Sequence, residues 1–256
     1  MSFVSAVLHF AAPLPRLENY TRYLFVGPHP DDIEIGAGAS AAKLAQAGKE
    51  LCFLICTDGR YGGGHVPELS PQELTAVRRQ ESLASAAVLG VHDVRFLDLE
   101  DGGFYEQEAL MRAIAAAIGD FLPEVIFAPD PCVTSESHTD HLNVGEAVRR
   151  LACFAPYPGI MTRWGTQSAP VQAVAFYMTA KPSAYIKTSG YLQRQLDALL
   201  SCHISQFPPG SADAKAVSTY LKLRAYDFGL RCRSRTAEGF RVLGQTQMHC
   251  LPEAGK

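Results

Sequence analysis

Two textures of apolar and polar positions alternate along the first part of the chain. Leu24 to Gly27, "ELCFLICTDG", "VRFLDL" and "PEVIFAPDP" are short apolar runs, the pattern of strands buried on both faces. Between them lie segments with helical spacing. "GAGASAAKLAQAG" has the small residues of a helix packed closely on a sheet, with Gly48 as its stop. Ser70, Pro71 and Glu73 predict a helix start, with an N-cap, a proline at the first helical position and a carboxylate in the first turn; this helix runs to Leu89 and ends at Gly90. "EQEALMRAIAAAIGDF" and "NVGEAVRRLACF" predict two more helices, and "YGGGHVPELS" a glycine-rich, mobile loop. Strand and helix alternate four times, which predicts an α/β fold with a doubly wound, mostly parallel sheet, each strand feeding a right-handed crossover.

After Phe154 the pattern loosens. "APYPGIMTRWGTQSAP" reads as loop, "VQAVAFYMT" as a strand, and "GYLQRQLDALLSCHISQF" and "ADAKAVSTYLKLRAYDFGL" as helices. No repeat or low-complexity linker interrupts the chain. The expectation is a single domain over residues 1–256, with a core over about 23–154 and a C-terminal extension of the same layers over 155–256.

Composition narrows the functional classes. Hydrophobic residues make up 47% and charged residues 19%, an ordinary globular balance that excludes a disordered or fibrous chain. A net charge of −3 without any Lys/Arg block gives no footprint for nucleic acid. No apolar run reaches the length of a membrane span. The N-terminal segment lacks a basic region and contains His9, so it reads as part of the fold and not as a signal peptide. The seven cysteines are odd in number and form no CxxC pair; Cys52 and Cys56 sit in an apolar run. They read as small buried hydrophobes in a reducing cytoplasm.

Chemistry is concentrated in two clusters. "PHPDD" follows the first strand, where open α/β sheets bind ligands, and places His29, Asp31 and Asp32 there. Adjacent carboxylates repel each other, burial worsens the repulsion, and a bound cation relieves it. A solvated turn would also use Pro and Asp. "PDPCVTSESHTDHLNVGEA" begins at the end of the fourth strand and supplies His138, Asp140 and His141. A helix cap accounts for the aspartate but not for two histidines beside it. His and carboxylate together suit zinc or iron(II), and two such clusters on one sheet edge can converge on one ion. "GAGASA" matches a dinucleotide fingerprint, but "PHPDDIEI" separates it from the strand and its carboxylates would repel a pyrophosphate. Close helix packing is the better reading of those glycines.

"PHPDDIEIGAGASAAKLAQAGKE" followed by "TDG", then "RRQESLASAAVLGV", "FLDLEDG", "SHTDHLNVGEAV", "CHISQF" and "AEGFRV", resembles the PIG-L/LmbE family of metal-dependent N-deacetylases, from about Tyr23 to Val242. The resemblance implies a Rossmann-like fold and a zinc ion, with iron(II) or another divalent transition metal as the alternative. It implies His29, Asp32 and His141 as metal ligands and Asp31 as general base. It implies His138 as the group that stabilises the oxyanion, held charged by Asp140, and Arg78 as a substrate contact. The implied partner is a small N-acetylated sugar conjugate of the N-acetylglucosamine type, and the implied form is a homo-oligomer. Pro28 stands where the family usually has Ala, and Thr139 where Pro is common; neither change removes a functional group. The implied reaction is amide hydrolysis by metal-activated water, with Asp31 moving a proton from water to the departing amine.

Three other functions use similar residues. An iron(II) oxygenase usually has an all-β host and its first two ligands one residue apart, whereas two residues separate His29 from Asp32. A metal-dependent phosphoesterase often holds two ions, and the donors here suffice for one. A non-catalytic metal- or sugar-binding module would not need the full set of catalytic donors. Release of acetate from simple N-acetylglucosamine conjugates separates these readings.

Overall fold

The apolar runs hydrogen-bond into one seven-stranded sheet in the order β3-β2-β1-β4-β5-β7-β6. The strands are β1 (Arg22–Gly27), β2 (Glu50–Thr57), β3 (Asp93–Leu99), β4 (Val125–Pro129), β5 (Ala173–Tyr177), β6 (Ala184–Lys187) and β7 (Ala237–Gly244). Strands β1 to β5 run parallel, and β7 is antiparallel to both β5 and β6. The structure is a computed structural model that describes residue 7 and residues 11–250. Eight helices accompany the sheet among the described residues: α1 (Asp32–Gln46), α2 (Pro71–Leu89), α3 (Gln107–Phe121), α4 (Thr139–Phe154), α5 (Pro158–Arg163), α6 (Leu192–Cys202), α7 (Ala212–Cys232) and α8 (Gln245–Cys250).

Successive strand residues point to opposite faces, so each strand feeds two cores. Leu24, Val26, Leu54 and Ile126 pack with α3 and α4 on one face. Tyr23, Phe25, Phe53 and Phe127 pack with α1 and α2 on the other. Phe25 and Phe127 stack there with ring centroids 4.4 Å apart. This is the doubly wound, Rossmann-like architecture expected from the sequence. The Ser70–Pro71–Glu73 start forms a full capping box, and Gly90 ends the helix at φ 85°.

Several elements differ from expectation. Helix α1 begins at Asp32, inside the first motif, and breaks at Ala37 (φ −150°, ψ 15°). The break frees backbone groups that a continuous helix would pair. Glu238 on β7 accepts the N–H groups of Ala39 and Ser40 at 3.2 and 2.7 Å, and Gln195 on α6 donates to the Glu34 carbonyl at 2.8 Å. The small residues of "GAGASA" are packing residues: a Cβ on Gly36 would lie 2.2 Å from the Tyr177 ring. Strands β6 and β7 and helix α8 were not expected: β6 and α8 are only four and six residues long, and β7 carries Glu238 and Arg241 among its apolar positions. Helix α5 lies within the segment read as loop, and "CHISQF" leaves α6 after Cys202.

Cys52 and Cys56 are buried, as expected; Cys132 is exposed and Cys153, Cys202 and Cys232 are half-buried, because they lie outside the apolar strands, and the side chain of the seventh cysteine, Cys250, lies outside what the structure describes. The expectation for the N-terminal segment lies outside the described residues at positions 1–6 and 8–10. Further along, Leu17 is buried and its carbonyl accepts the Tyr23 hydroxyl. No helix among the described residues is long and apolar enough to cross a membrane.

Candidate active site

The strand order reverses beside β1, which pairs with β2 on one side and β4 on the other. The carboxyl ends of strands at such a switch point leave a crevice, because their following loops diverge to opposite faces. "PHPDD" leaves β1 and the segment from Asp130 to His138 leaves β4, so the topology itself brings the two clusters together.

His29 is buried at the end of β1. Its Nε2 lies 3.1 Å from Asp140 Oδ2 and 3.2 Å from Asp101 Oδ1, and its Nδ1 lies 3.0 Å from Asp32 Oδ2. Asp32 is the first residue of α1; its Oδ2 also accepts the His29 backbone N–H at 2.8 Å, and its Oδ1 lies 3.3 Å from His141 Nε2. His141 sits in the first turn of α4, which begins four residues earlier than its apolar spacing predicts. Glu136 Oε2 lies 2.9 Å from His141 Nδ1 and thereby fixes the ring. His29, His138 and His141 offer ring nitrogens within 4.8 Å of one another.

The donors fit a metal ion. His29 Nδ1 and His141 Nε2 face the two oxygens of the same Asp32 carboxylate at 3.0 and 3.3 Å, so the three side chains lie close enough to serve one ion. The remaining ring nitrogens of His29 and His141 face carboxylates, the usual support behind a metal-binding imidazole. Burial would lower the pKa of His29, but its bonds to Asp101, Asp140 and Asp32 outweigh burial and push it up to about 12. His141 is pushed up to about 9 against burial, mainly by Asp32 and Glu136. Asp32 and Asp140 are held well below the usual carboxylate range despite burial, by His141 and His29 and by His29 respectively.

Asp31 stands at the N-cap of α1 with φ 122°, a backbone conformation rare for any residue but glycine. Such strain costs on the order of 1–3 kcal/mol and clusters at functional sites. Its side chain does not cap the helix. Arg78 Nη2, on α2, lies 3.1 Å from Asp31 Oδ2 and donates to the Pro30 carbonyl at 2.7 Å, while Nη1 donates to the Gly59 carbonyl at 3.1 Å. Burial and then the neighbouring Asp32 push the Asp31 carboxyl up to about 6, with Arg78 pulling it down. Arg78 is itself buried beneath the motif.

His138 differs from expectation in its charge. Asp140 is fully buried, and its Oδ2 is committed to His29 Nε2 and to the Gly102 N–H at 2.8 Å; it lies 3.7 Å from His138 Nδ1. That His138 nitrogen accepts the Asp140 backbone N–H at 3.3 Å, as the N-cap of α4. Burial first, then the charges of His29 and His141, press the His138 pKa below its ordinary value. Asp140 pulls the other way, but from 3.7 Å and with its carboxylate turned to His29 and Gly102. A ring nitrogen that accepts is unprotonated, so the neutral ring carries its proton on Nε2.

Sequence reasoning missed Asp101 and Glu136 as partners of His29 and His141. Both stand within the quoted blocks, but spacing alone does not tell which carboxylate reaches which imidazole. It also missed buried His203 of "CHISQF", whose Nε2 lies 3.3 Å from Glu34 Oε1.

The family model described as GlcNAc-PI de-N-acetylase, PIG-L, matches residues 24–152, which span β1 to α4 and both clusters. The chain belongs to the PIG-L family. It is 31% identical over 236 residues to the diacetylchitobiose deacetylase of Thermococcus kodakarensis, covering 91% of this chain and 87% of that one. It is 32% identical over 205 residues to a 1D-myo-inositol 2-acetamido-2-deoxy-alpha-D-glucopyranoside deacetylase of Kineococcus radiotolerans, covering 69% of this chain and 56% of that one. The solved N,N'-diacetylchitobiose deacetylase of Pyrococcus horikoshii superposes with a TM-score of 0.87 at 27% identity, covering 98% of this chain and 97% of that chain. All three of these relatives are named deacetylases. Metal dependence is general in the PIG-L family, and the His/Asp group of this chain can hold a metal ion.

Proposed function

We propose that this PIG-L protein is a zinc-dependent deacetylase that hydrolyses the acetamide of an N-acetylglucosamine-type conjugate. The reading is supported above all by the convergence of His29, Asp32 and His141, with donors 3.0 and 3.3 Å apart around one carboxylate. These three residues would hold the ion, with iron(II) as the alternative. A divalent ion there supplies Lewis acidity toward water and toward an amide carbonyl.

The chain's own groups supply the proton transfers. Asp31 is next to a ligand without being one, and its carboxyl at about 6 can both accept and release a proton near neutrality. It takes a proton from the attacking water and returns one to the departing amine nitrogen. Arg78 orients Asp31 through Oδ2 and holds the strained turn through the Pro30 and Gly59 carbonyls. As a substrate contact, Arg78 would act from beside the base. His138 would donate from Nε2 as a neutral ring to the oxyanion that forms when the carbonyl is attacked, a contribution of about 3 kcal/mol for one donor in such sites. Asp140 acts through His29, and its backbone N–H sets the His138 tautomer.

The proposal takes the chain as one catalytic unit in a cytoplasmic setting, with a homo-oligomeric form and no nucleic-acid partner. It is tested by incubating metal-replete protein with a panel of N-acetylated sugars and measuring free amine. Amine release with stoichiometric acetate is expected; release of phosphate from phosphoesters with no amine would replace the proposal.

A further inference from the structure

Two large aromatic side chains stand exposed at the rim of the site. Tyr61 follows β2 and is 55% exposed; Phe104 follows β3 and is 69% exposed. Their rings form an edge-to-face pair with centroids 6.2 Å apart and planes at 82°. Exposed aromatics usually find cover in a core, and a contiguous pair beside polar groups marks a binding surface.

The pair is tied to the site by short links. The Tyr61 backbone N–H donates to Asp101 Oδ2 at 3.2 Å, and Asp101 Oδ1 is at His29. The Tyr61 hydroxyl donates to Glu100 Oε1 at 2.6 Å, which fixes its ring. Phe104 leaves a turn of two glycines at φ 85° and 81°. That turn is pressed against the second cluster: a Cβ on Gly103 would lie 2.6 Å from Thr139 Cγ2, between His138 and Asp140. A Cβ on Gly102 would lie 3.1 Å from the Phe104 ring. Tyr61 thus bonds Asp101 directly, and Phe104 lies two residues from Gly102, whose N–H donates to Asp140; both carboxylates are at His29.

We infer that Tyr61 and Phe104 form a sugar-stacking subsite that receives the second pyranose ring of an N-acetylhexosaminyl disaccharide. This inference rests on the deacetylase reading and deepens it. A pyranose presents patches of C–H groups on its faces and hydroxyls at its edge. The Phe104 ring matches the first, and the Tyr61 hydroxyl with Glu100 matches the second.

The test compares wild type, Phe104→Ala and Tyr61→Ala. Binding of N,N'-diacetylchitobiose is measured by calorimetry, and kcat/KM is measured for that disaccharide, for N-acetylglucosamine and for an octyl glycoside of N-acetylglucosamine. The expected result is about a tenfold fall in disaccharide affinity and in the disaccharide-to-monosaccharide ratio of kcat/KM. Circular dichroism should be unchanged, since both side chains are exposed. Undiminished disaccharide binding by both variants overturns the inference, as does an equal loss for the octyl glycoside and the disaccharide. Amine release by wild type reports separately on the deacetylase reading, while calorimetry judges the subsite whichever way that assay falls.

Discussion

Replacing Glu238 with glutamine should change how stability depends on pH. Glu238 is buried on β7, accepts two backbone N–H groups at the break in α1, and receives Gln195 Nε2 at 2.9 Å. Burial pushes its carboxyl from an ordinary 4.5 up to about 7, with its bonds to Ser40 and Ala39 pulling the other way. The folded chain therefore holds this proton where the unfolded chain has lost it. At about 1.4 kcal/mol per pH unit, that span corresponds to about 3 kcal/mol. The contribution is fully present below the unfolded value and is lost as pH rises through about 7.

Glutamine cannot ionise; it keeps one acceptor oxygen and puts an amide NH2 where the other oxygen accepted an N–H, a pH-independent cost that offsets the two curves without changing how their difference varies with pH. Urea unfolding of wild type and Glu238→Gln at pH 4.5, 6, 7 and 8 measures the difference at each pH. Wild-type stability relative to the variant should fall by about 3 kcal/mol between the acidic and neutral points and then level off. Parallel curves, or a difference that grows in favour of wild type as pH rises, would refute the reasoning. The half-helix before the break carries Asp32 as its first residue, at the sheet edge.

Asp31→Ala should retain its metal and lose turnover on the order of 10²–10⁴-fold, while His141→Ala should lose the metal itself. Elemental analysis beside an amine assay distinguishes the two. Glu136→Gln keeps an acceptor at His141 Nδ1 but removes its charge, so metal affinity should weaken by about 10–100-fold in a chelator competition. Gly36→Ala places a Cβ 2.2 Å from the Tyr177 ring, whose hydroxyl is anchored on the Val26 carbonyl. Stability in urea should fall by about 1–3 kcal/mol, and an unchanged midpoint would mean that the ring moves freely.

The parallel half of the sheet was legible because each strand is an apolar run and each crossover a long periodic helix. The capping box at Ser70 and the stop at Gly90 are local signals that tertiary packing had no reason to override. β6 and β7 were not legible. β6 is only four residues long, and β7, "AEGFRVLG", contains a charged residue at Glu238 that its sequence alone does not mark as buried. The start of α4 was missed because Thr139, Asp140 and His141 break the apolar spacing, although their polarity is what the crevice uses.

The two His/Asp clusters were visible as residue types, and their meeting followed from the sheet edge they share. Their support was not visible. The charge of His138 depends on where Asp140 points, and its carboxylate turns to His29 and Gly102 rather than to the neighbouring histidine. Likewise the role of Arg78 depends on the strained turn at Asp31, which the letters "HPDD" do not reveal.

The central claim is that His29, Asp32 and His141 grip one divalent ion on which amide hydrolysis depends. The most direct measurement strips the purified protein with a chelator, follows amine release from N,N'-diacetylchitobiose, and then titrates zinc back. The account predicts that activity disappears with the metal and returns at about one zinc per chain, and that His141→Ala shows no such return. Full activity in rigorously metal-free protein would contradict it.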